Sequence, residues 1–296
     1  MSFPKSLSVL ASGLLISSFV ILPVREVTPV MMAQNNGQAA EAKVSQGLQL
    51  VQQGRLSDAI AAFRQATQIN PKMSAAHYNL GLALRQQGQL QASATAFHQA
   101  TQADPNFALA YANLGAALIE GNNLNQARDY LQRSLELDPR LGLAHYNLGL
   151  VLELQGNLPG AVGAFREAAQ FTPNAPEPLY HLGLVYQKQQ KSSDAIAAFR
   201  QAVQRNPNYA EAHYSLGSIL FSQGDLSGAL TAFRKSSQVN PNYANAYYGA
   251  GLVFIRQNKI GDAQQVLKYA KSLFAAQKNL PWAEKADQQL GKLRNR

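Results

Sequence analysis

From residue 40 to residue 277 apolar side chains fall three and four apart in short runs, and the whole pattern returns every 34 residues. The prolines show the period most plainly: Pro71, Pro105, Pro139, Pro173, Pro207 and Pro241 each stand 34 residues from the last. Counting every unit from 31 residues before its proline gives seven units, 40–73, 74–107, 108–141, 142–175, 176–209, 210–243 and 244–277. The eighth place is glycine throughout (Gly47, Gly81, Gly115, Gly149, Gly183, Gly217, Gly251). The twentieth is small (Ala59, Ser93, Ala127, Ala161, Ala195, Ala229, Ala263), and the twenty-fourth is large and apolar (Phe63, Phe97, Leu131, Phe165, Phe199, Phe233, Leu267).

These columns predict two antiparallel helices per unit. Leu80, Gly81 and Leu84 share one turn of a first helix, and Ala161, Phe165 and Ala168 mark the apolar stripe of a second. Glycine in mid-helix costs about 1 kcal/mol relative to alanine, so an unbroken column of it implies close approach of another element, with the small twentieth place as the expected opposite number. Gly54, Gly88, Gly156 and Gly224, with Asn122 and Asn258, are placed to end the first helices in the left-handed conformation. Each proline drives the preceding Asn70, Asp104, Asp138, Asn206 or Asn240 out of helical geometry and stops the second helix.

The pattern resembles the tetratricopeptide repeat over about four-fifths of the chain, as in His213-Tyr214-Ser215-Leu216-Gly217 followed by Ala229, Phe233 and Pro241. It departs at the fourth place, where the usual aromatic is Lys43, Leu179 or the histidines His77, His145 and His213, and in the last unit, where Ala275 replaces the proline. The resemblance implies an all-α, right-handed superhelical solenoid with the first helices lining a concave groove. After the last unit, Pro281 suits the first turn of a closing helix through Leu293, with Trp282 to cover the final repeat.

If the first helices line a groove, their fifth, sixth and ninth places are the expected binding positions. Tyr78, Tyr146, Tyr180, Tyr214 and Tyr248 hold the fifth, broken by Ala112, and Leu82, Leu150, Leu184 and Leu252 the ninth. Asn79, Asn113 and Asn147 hold the sixth, succeeded by His181 in the fifth unit. In superhelical members of the family such as the O-linked N-acetylglucosamine transferases, asparagines at this place hold a peptide backbone. Here that implies an asparagine ladder binding an extended peptide, fading toward the C-terminus; the alternative is that tyrosine and leucine pack between neighbouring units. Arg85 and Lys188 stand isolated, which argues against a carboxylate clamp.

Composition narrows the chemistry. The chain has no cysteine, which excludes disulfides and thiol chemistry. Stacked repeats hold His77, His145 and His213 on the order of 20 Å apart, too far to share a metal ion. No nucleotide-binding, zinc-protease or hydrolase motif occurs, so neither enzymatic activity nor a cofactor is expected. The net charge of +9 is local: residues 40–233 carry 13 basic and 13 acidic side chains, whereas 234–296 carry 11 basic against 3 acidic. Lys268, Lys271 and Lys278 fall within about an 80° arc of one predicted helix face, and Lys292, Arg294 and Arg296 form a loose tail. The plain reading is a solvated helix face; as a partner for it, a membrane surface suits better than nucleic acid, because aromatics do not interleave with the charges.

The apolar run Leu7–Val24, preceded by Lys5, predicts an export signal or a retained anchor over residues 1–33, with cleavage near Ala33, a linker over 34–39 and a basic closing segment over 278–296. The expected protein is an exported or anchored scaffold holding an extended segment of a partner, with its oligomeric state open. The alternative is an oligomeric envelope protein docking through its basic end.

Overall fold

The computed structural model describes residues 31–294, with side chains from residue 36 onward. The predicted export segment through residue 30 lies outside the described residues, as does Arg296. Fifteen α-helices and no strand occur among the described residues. They are α1 (Met31–Gln52), α2 (Leu56–Ile69), α3 (Ser74–Gln86), α4 (Leu90–Ala103), α5 (Ala108–Glu120), α6 (Leu124–Leu137), α7 (Gly142–Leu154) and α8 (Leu158–Phe171). There follow α9 (Glu177–Lys188), α10 (Ser192–Arg205), α11 (Ala210–Ser222), α12 (Leu226–Val239), α13 (Ala244–Arg256), α14 (Ile260–Ala276) and α15 (Leu280–Arg294). The order gives seven first-and-second helix pairs and a closing helix, an all-α solenoid arrangement. The 34–39 stretch expected as a linker is helical, because α1 begins at Met31.

The chain divides into two compact units between Asn157 and Leu158. In the first, α1 packs on α2, α3 on α4 and α5 on α6, while each second helix also packs on the next first helix. Successive first helices touch directly, α1 with α3 and α5 with α7. The second unit repeats the scheme from α8 to α14, and α15 packs on α14.

The glycine column has a different partner from the one expected. A Cβ built on Gly81 would lie 2.7 Å from the ring of Phe97, one on Gly115 2.6 Å from Leu131, one on Gly183 2.5 Å from Phe199 and one on Gly217 2.8 Å from Phe233. The large twenty-fourth residue, not the small twentieth, therefore fills the space above the glycine. The twentieth place still sits near: Ser93 Oγ donates 2.8 Å to the Gly81 carbonyl. A Phe ring needs more room than any Cβ leaves, so the helix gives up propensity for a buried aromatic, with about 1.5–3 kcal/mol of burial against about 1 kcal/mol.

First helices end as expected, with Gly54, Gly88, Gly156 and Gly224 at φ 74–86° and Asn122 and Asn258 at 59° and 58°. In the third turn, for example, Gly88 N–H donates to Arg85 O and Gln89 N–H to Leu84 O, both at 2.9 Å, which satisfies carbonyls that α3 would leave bare. Gln190 (60°) and Lys278 (58°) adopt the same conformation without being glycine or asparagine.

The junctions between repeats carry a device that proline alone does not supply. The side chains of Asn70, Asp104, Asp138, Asn206 and Asn240 each accept a bond from the backbone N–H two residues on, at 2.9–3.1 Å. From the following first helix, His77, His145 and His213 bring Nε2 to 2.8–2.9 Å from the carbonyls of Pro71, Pro139 and Pro207. The fourth-place histidine is thus a clasp on the turn behind it. At the one junction where Thr172 replaces the Asn or Asp, Arg205 donates to Ala169 O, Thr172 O and Ala175 O at 3.0–3.3 Å. A cation at the C-terminal end of α8 also complements its dipole.

The closing helix behaves as the sequence predicts. Trp282 lies 5.5 Å edge-on to Tyr248 and 5.8 Å from Phe274, while Lys285 Nζ sits 4.1 Å over its ring. Leu290 and Leu293 are buried with Phe254 and Leu267.

Candidate partner-binding face

Places two, six, nine and thirteen of a first helix step by 4, 3 and 4, so they form one stripe down its side. In the first unit the sixth place is not an open wall. Asn79, Asn113 and Asn147 are buried, at 1%, 5% and 5% exposure. Asn79 Nδ2 donates to Ala75 O (2.8 Å), and Asn113 Nδ2 donates both to Leu109 O (2.9 Å) and, across to the previous first helix, to Tyr78 Oη (3.2 Å). Asn147 Nδ2 likewise reaches Ala112 O of α5 at 3.5 Å. This burial stands against the expected peptide-binding ladder: the amides of Asn113 and Asn147 tie neighbouring first helices, and that of Asn79 bonds within its own helix.

The fifth-place tyrosines are also packing residues. Tyr78 is fully buried between Phe97 (5.7 Å) and Phe107 (4.9 Å), and burial pushes its phenol well above the ordinary value. Tyr180 sits between Phe199 (5.9 Å) and Tyr209 (5.0 Å), and Tyr214 between Phe233 (5.8 Å) and Tyr243 (5.4 Å). Each triad joins the fifth, twenty-fourth and thirty-fourth places, so it locks a first helix to its own second helix and to the following turn. Tyr146 and Leu150 are buried. His181 stacks on Phe165 at 5.4 Å.

From α3 to α7 the first unit's stripe carries accessible leucines beside the polar Gln86 and Glu120, while in α1 it is mostly polar, with Glu41, Ser45 and Gln52 exposed. Leu82, Leu109 and Leu143 are half-buried, and Leu154 at the thirteenth place is 48% exposed. Leu82 and Leu109 pack against one core cluster, and Ile119 and Leu143 against the next. Arg85 is not isolated: its Nε and Nη2 donate to Glu120 Oε1 at 2.8 and 2.5 Å, neutralising charge between α3 and α5. The second unit's stripe mixes the half-buried Leu184 and Leu252 with Glu177, Lys188, Glu211, Ser218, Ser222 and Arg256.

The basic residues do not form one face. Helix α14 ends at Ala276, so Lys278 stands in the turn beyond it, and Lys271 Nζ pairs with Asp287 Oδ1 at 2.7 Å. That bond holds the Asp287 carboxyl below the ordinary value. Lys268, Lys292 and Arg294 are exposed. Among the described residues no His, Asp and Glu side chains gather to hold a metal ion, and no helix is long and apolar enough to cross a membrane.

A family model described as tetratricopeptide repeat matches residues 44–106, 83–142, 112–176 and 180–238, more than half of the chain. The chain belongs to the tetratricopeptide repeat family. Its repeats form the fold of a protein-interaction scaffold. No match was found among curated proteins. Among solved structures, the chain is similar to YrrB, described as a tetratricopeptide repeat protein with an unusual peptide-binding site. The two are 27% identical with a TM-score of 0.55, over 66% of this chain and 99% of YrrB. PilF of Pseudomonas aeruginosa aligns with 72% of this chain and 96% of its own at 19% identity and a TM-score of 0.63. A tetratricopeptide repeat protein of Parabacteroides merdae aligns over 84% and 99%, at 18% identity and 0.63. The last two show the shared fold.

Proposed function

We propose that this tetratricopeptide repeat protein is a non-enzymatic scaffold that holds an extended, apolar segment of a partner protein along the first-helix stripe of residues 31–157. The observation that carries it is the row of accessible leucines, Leu82, Leu109, Leu143 and Leu154, on three successive first helices, where Arg85 and Glu120 neutralise each other and Glu153 stands beside Leu154. The buried asparagines and tyrosines serve this row by fixing the spacing of the helices that carry it. Side chains of an extended segment alternate, so apolar residues two apart can meet successive leucines, and several weak contacts along one chain add to useful avidity. The peptide-binding site named for YrrB supports the same use of the fold. Export across a membrane, directed by Leu7–Val24, places the work outside the cytoplasm.

A photo-crosslinking residue at Leu154, compared with one at the exposed Glu167 on α8, tests the reading in the protein's own cells. One or two proteins labelled at Leu154 and lost on Leu143→Asp are expected. Equal labelling at both positions, or labelling untouched by Leu143→Asp, would remove the leucine row as the binding face. N-terminal sequencing of the mature protein tests the export step, which a soluble cytosolic product retaining Met1 would overturn.

A further inference from the structure

The last repeat breaks the pattern of its predecessors at two places that line the same hollow. The seventh place is Leu80, Leu114, Leu148, Leu182 and Leu216 in the second to sixth repeats, and Ala250 in the seventh. The twenty-sixth place is Gln65, Gln99, Arg133, Glu167, Gln201 and Lys235 in the first six, and Tyr269 in the seventh. Ala250 lies on the floor and Tyr269 on the wall of a groove of about 700 Å³ between α12 and α14, with α13 beneath. Loss of the leucine side chain opens the floor, and an aromatic stands where the other repeats present a polar residue to water.

The lining combines aromatic surface with positive charge. Tyr247 meets Tyr269 edge to face at 4.7 Å, and Tyr269 remains 46% exposed. Arg234 on the opposite wall lies 6.0 Å over the ring of Phe254, and Lys268 projects beside Tyr269. The one carboxylate in the lining is Asp262, six residues and about 9 Å along α14 from Lys268. The lining thus holds two cations, Arg234 and Lys268, against one carboxylate, within a segment, 234–296, that carries 11 basic and 3 acidic residues overall.

We propose that this groove on the second-helix side is a separate binding site. Its occupant is an acidic segment of a partner protein that inserts one large apolar side chain over Ala250. An aromatic or leucine side chain fills the volume that the missing leucine leaves, and contacts Tyr247, Phe254 and Tyr269. Carboxylates flanking it pair with Arg234 and Lys268, where the guanidinium can take a bidentate acid. The site is independent of the leucine row, since it uses other helices and the opposite side of the repeat.

Random dodecapeptides displayed on phage, selected against the immobilised full-length protein, test it. Enriched peptides should carry a large apolar residue beside two or more acids. A fluorescein-labelled member should bind at least tenfold more weakly to Ala250→Leu, which restores the side chain of the second to sixth repeats. The same peptide should weaken on Arg234→Glu and bind normally to Leu154→Asp, which separates this site from the leucine row. Circular dichroism on Ala250→Leu confirms that the fold is kept. Four results would overturn the proposal: no enrichment, neutral or basic peptides, equal binding to Ala250→Leu, or binding lost with Leu154→Asp. Sedimentation with phosphatidylglycerol vesicles, or self-association, that Ala250→Leu abolishes would give the groove to lipid or to a second copy and overturn it as well.

Discussion

The two compact units share one repeat and differ at its sixth place. In residues 31–157 that place is Ser45, Asn79, Asn113 and Asn147, and the last two bond across to the preceding first helix, as Asn113 does to Tyr78. In residues 158–294 it is His181, Ser215 and Gly249, and a Cβ on Gly249 would lie 2.6 Å from the ring of Phe233. The same joint is therefore closed by a hydrogen bond in one unit and by close contact in the other. A column of polar residues at a regular spacing looks like a ladder for a ligand. It serves equally as a set of ties within the scaffold, and burial decides between them.

Exchanging the two solutions sharpens the comparison most. Gly249→Asn forces an amide into the space of the Phe233 ring and is expected to cost about 3 kcal/mol, visible as an earlier urea transition of the second unit. The reverse change, Asn113→Gly, removes a bond to Tyr78 and adds glycine to mid-helix, with an expected cost of about 2 kcal/mol. If both swaps are neutral, the sixth place does not set the joint in either unit.

Arg205→Met tests the substitute junction of the second unit. Three carbonyls lose a charged donor, and a partly exposed guanidinium of this kind contributes about 1–2 kcal/mol, so the denaturation midpoint should fall accordingly. Arg205 is desolvated, which lowers its pKa, but it stays charged at any ordinary pH, so this loss should not depend on pH. A loss that appears only in acid would point elsewhere.

The histidine clasp gives a smaller, pH-dependent effect. Burial holds the His213 imidazole below its ordinary 6.5, although the bond to Pro207 opposes the shift. The unfolded chain therefore takes up a proton near 6.5 while the folded chain resists it. Stability is full above that pH and falls as pH drops through the folded value. Thermal melting between pH 7 and 5 should show a shallower fall for His213→Tyr, the residue found at this place in Tyr247; an unchanged slope would assign the acid sensitivity to other groups.

Smallest is the cost of the left-handed turns. Gln190→Gly should raise stability by about 1 kcal/mol, since Gln190 holds φ 60° with a side chain that disfavours it, whereas Gly156→Gln in the equivalent turn should lower it by a similar amount. Equal stability of all three proteins would mean that these turns relax at no cost.

Much of the fold was legible because each feature depends on near neighbours in the chain. The 34-residue period, the glycine and asparagine turns and the Trp282 cap follow from spacing and local conformation. The thirty-fourth-place aromatics Phe107, Tyr209 and Tyr243 form a column that was also open to notice. The face that works was harder to see. Helical spacing gives the angle at which Asn79 or Tyr78 leaves its helix, but not how near the next helix stands on that side. Lys268, Lys271 and Lys278 looked like one face only because the end of α14, two residues before Lys278, does not show in their spacing.

The sequence by itself determined the helices, their turns and the order in which they stack, because local sterics and the repeat of apolar places leave few alternatives. Only the tertiary structure decided which members of each column are covered. It buried Asn79, Asn113, Asn147, Tyr78 and Tyr146, left Leu82, Leu109, Leu143 and Leu154 accessible, set Phe97 rather than Ser93 over Gly81, and turned a single alanine at 250 into a groove. The physical reason is that exposure belongs to pairs of helices brought together from different repeats, and distances of a few ångströms between them are set by side-chain volume that no one repeat contains.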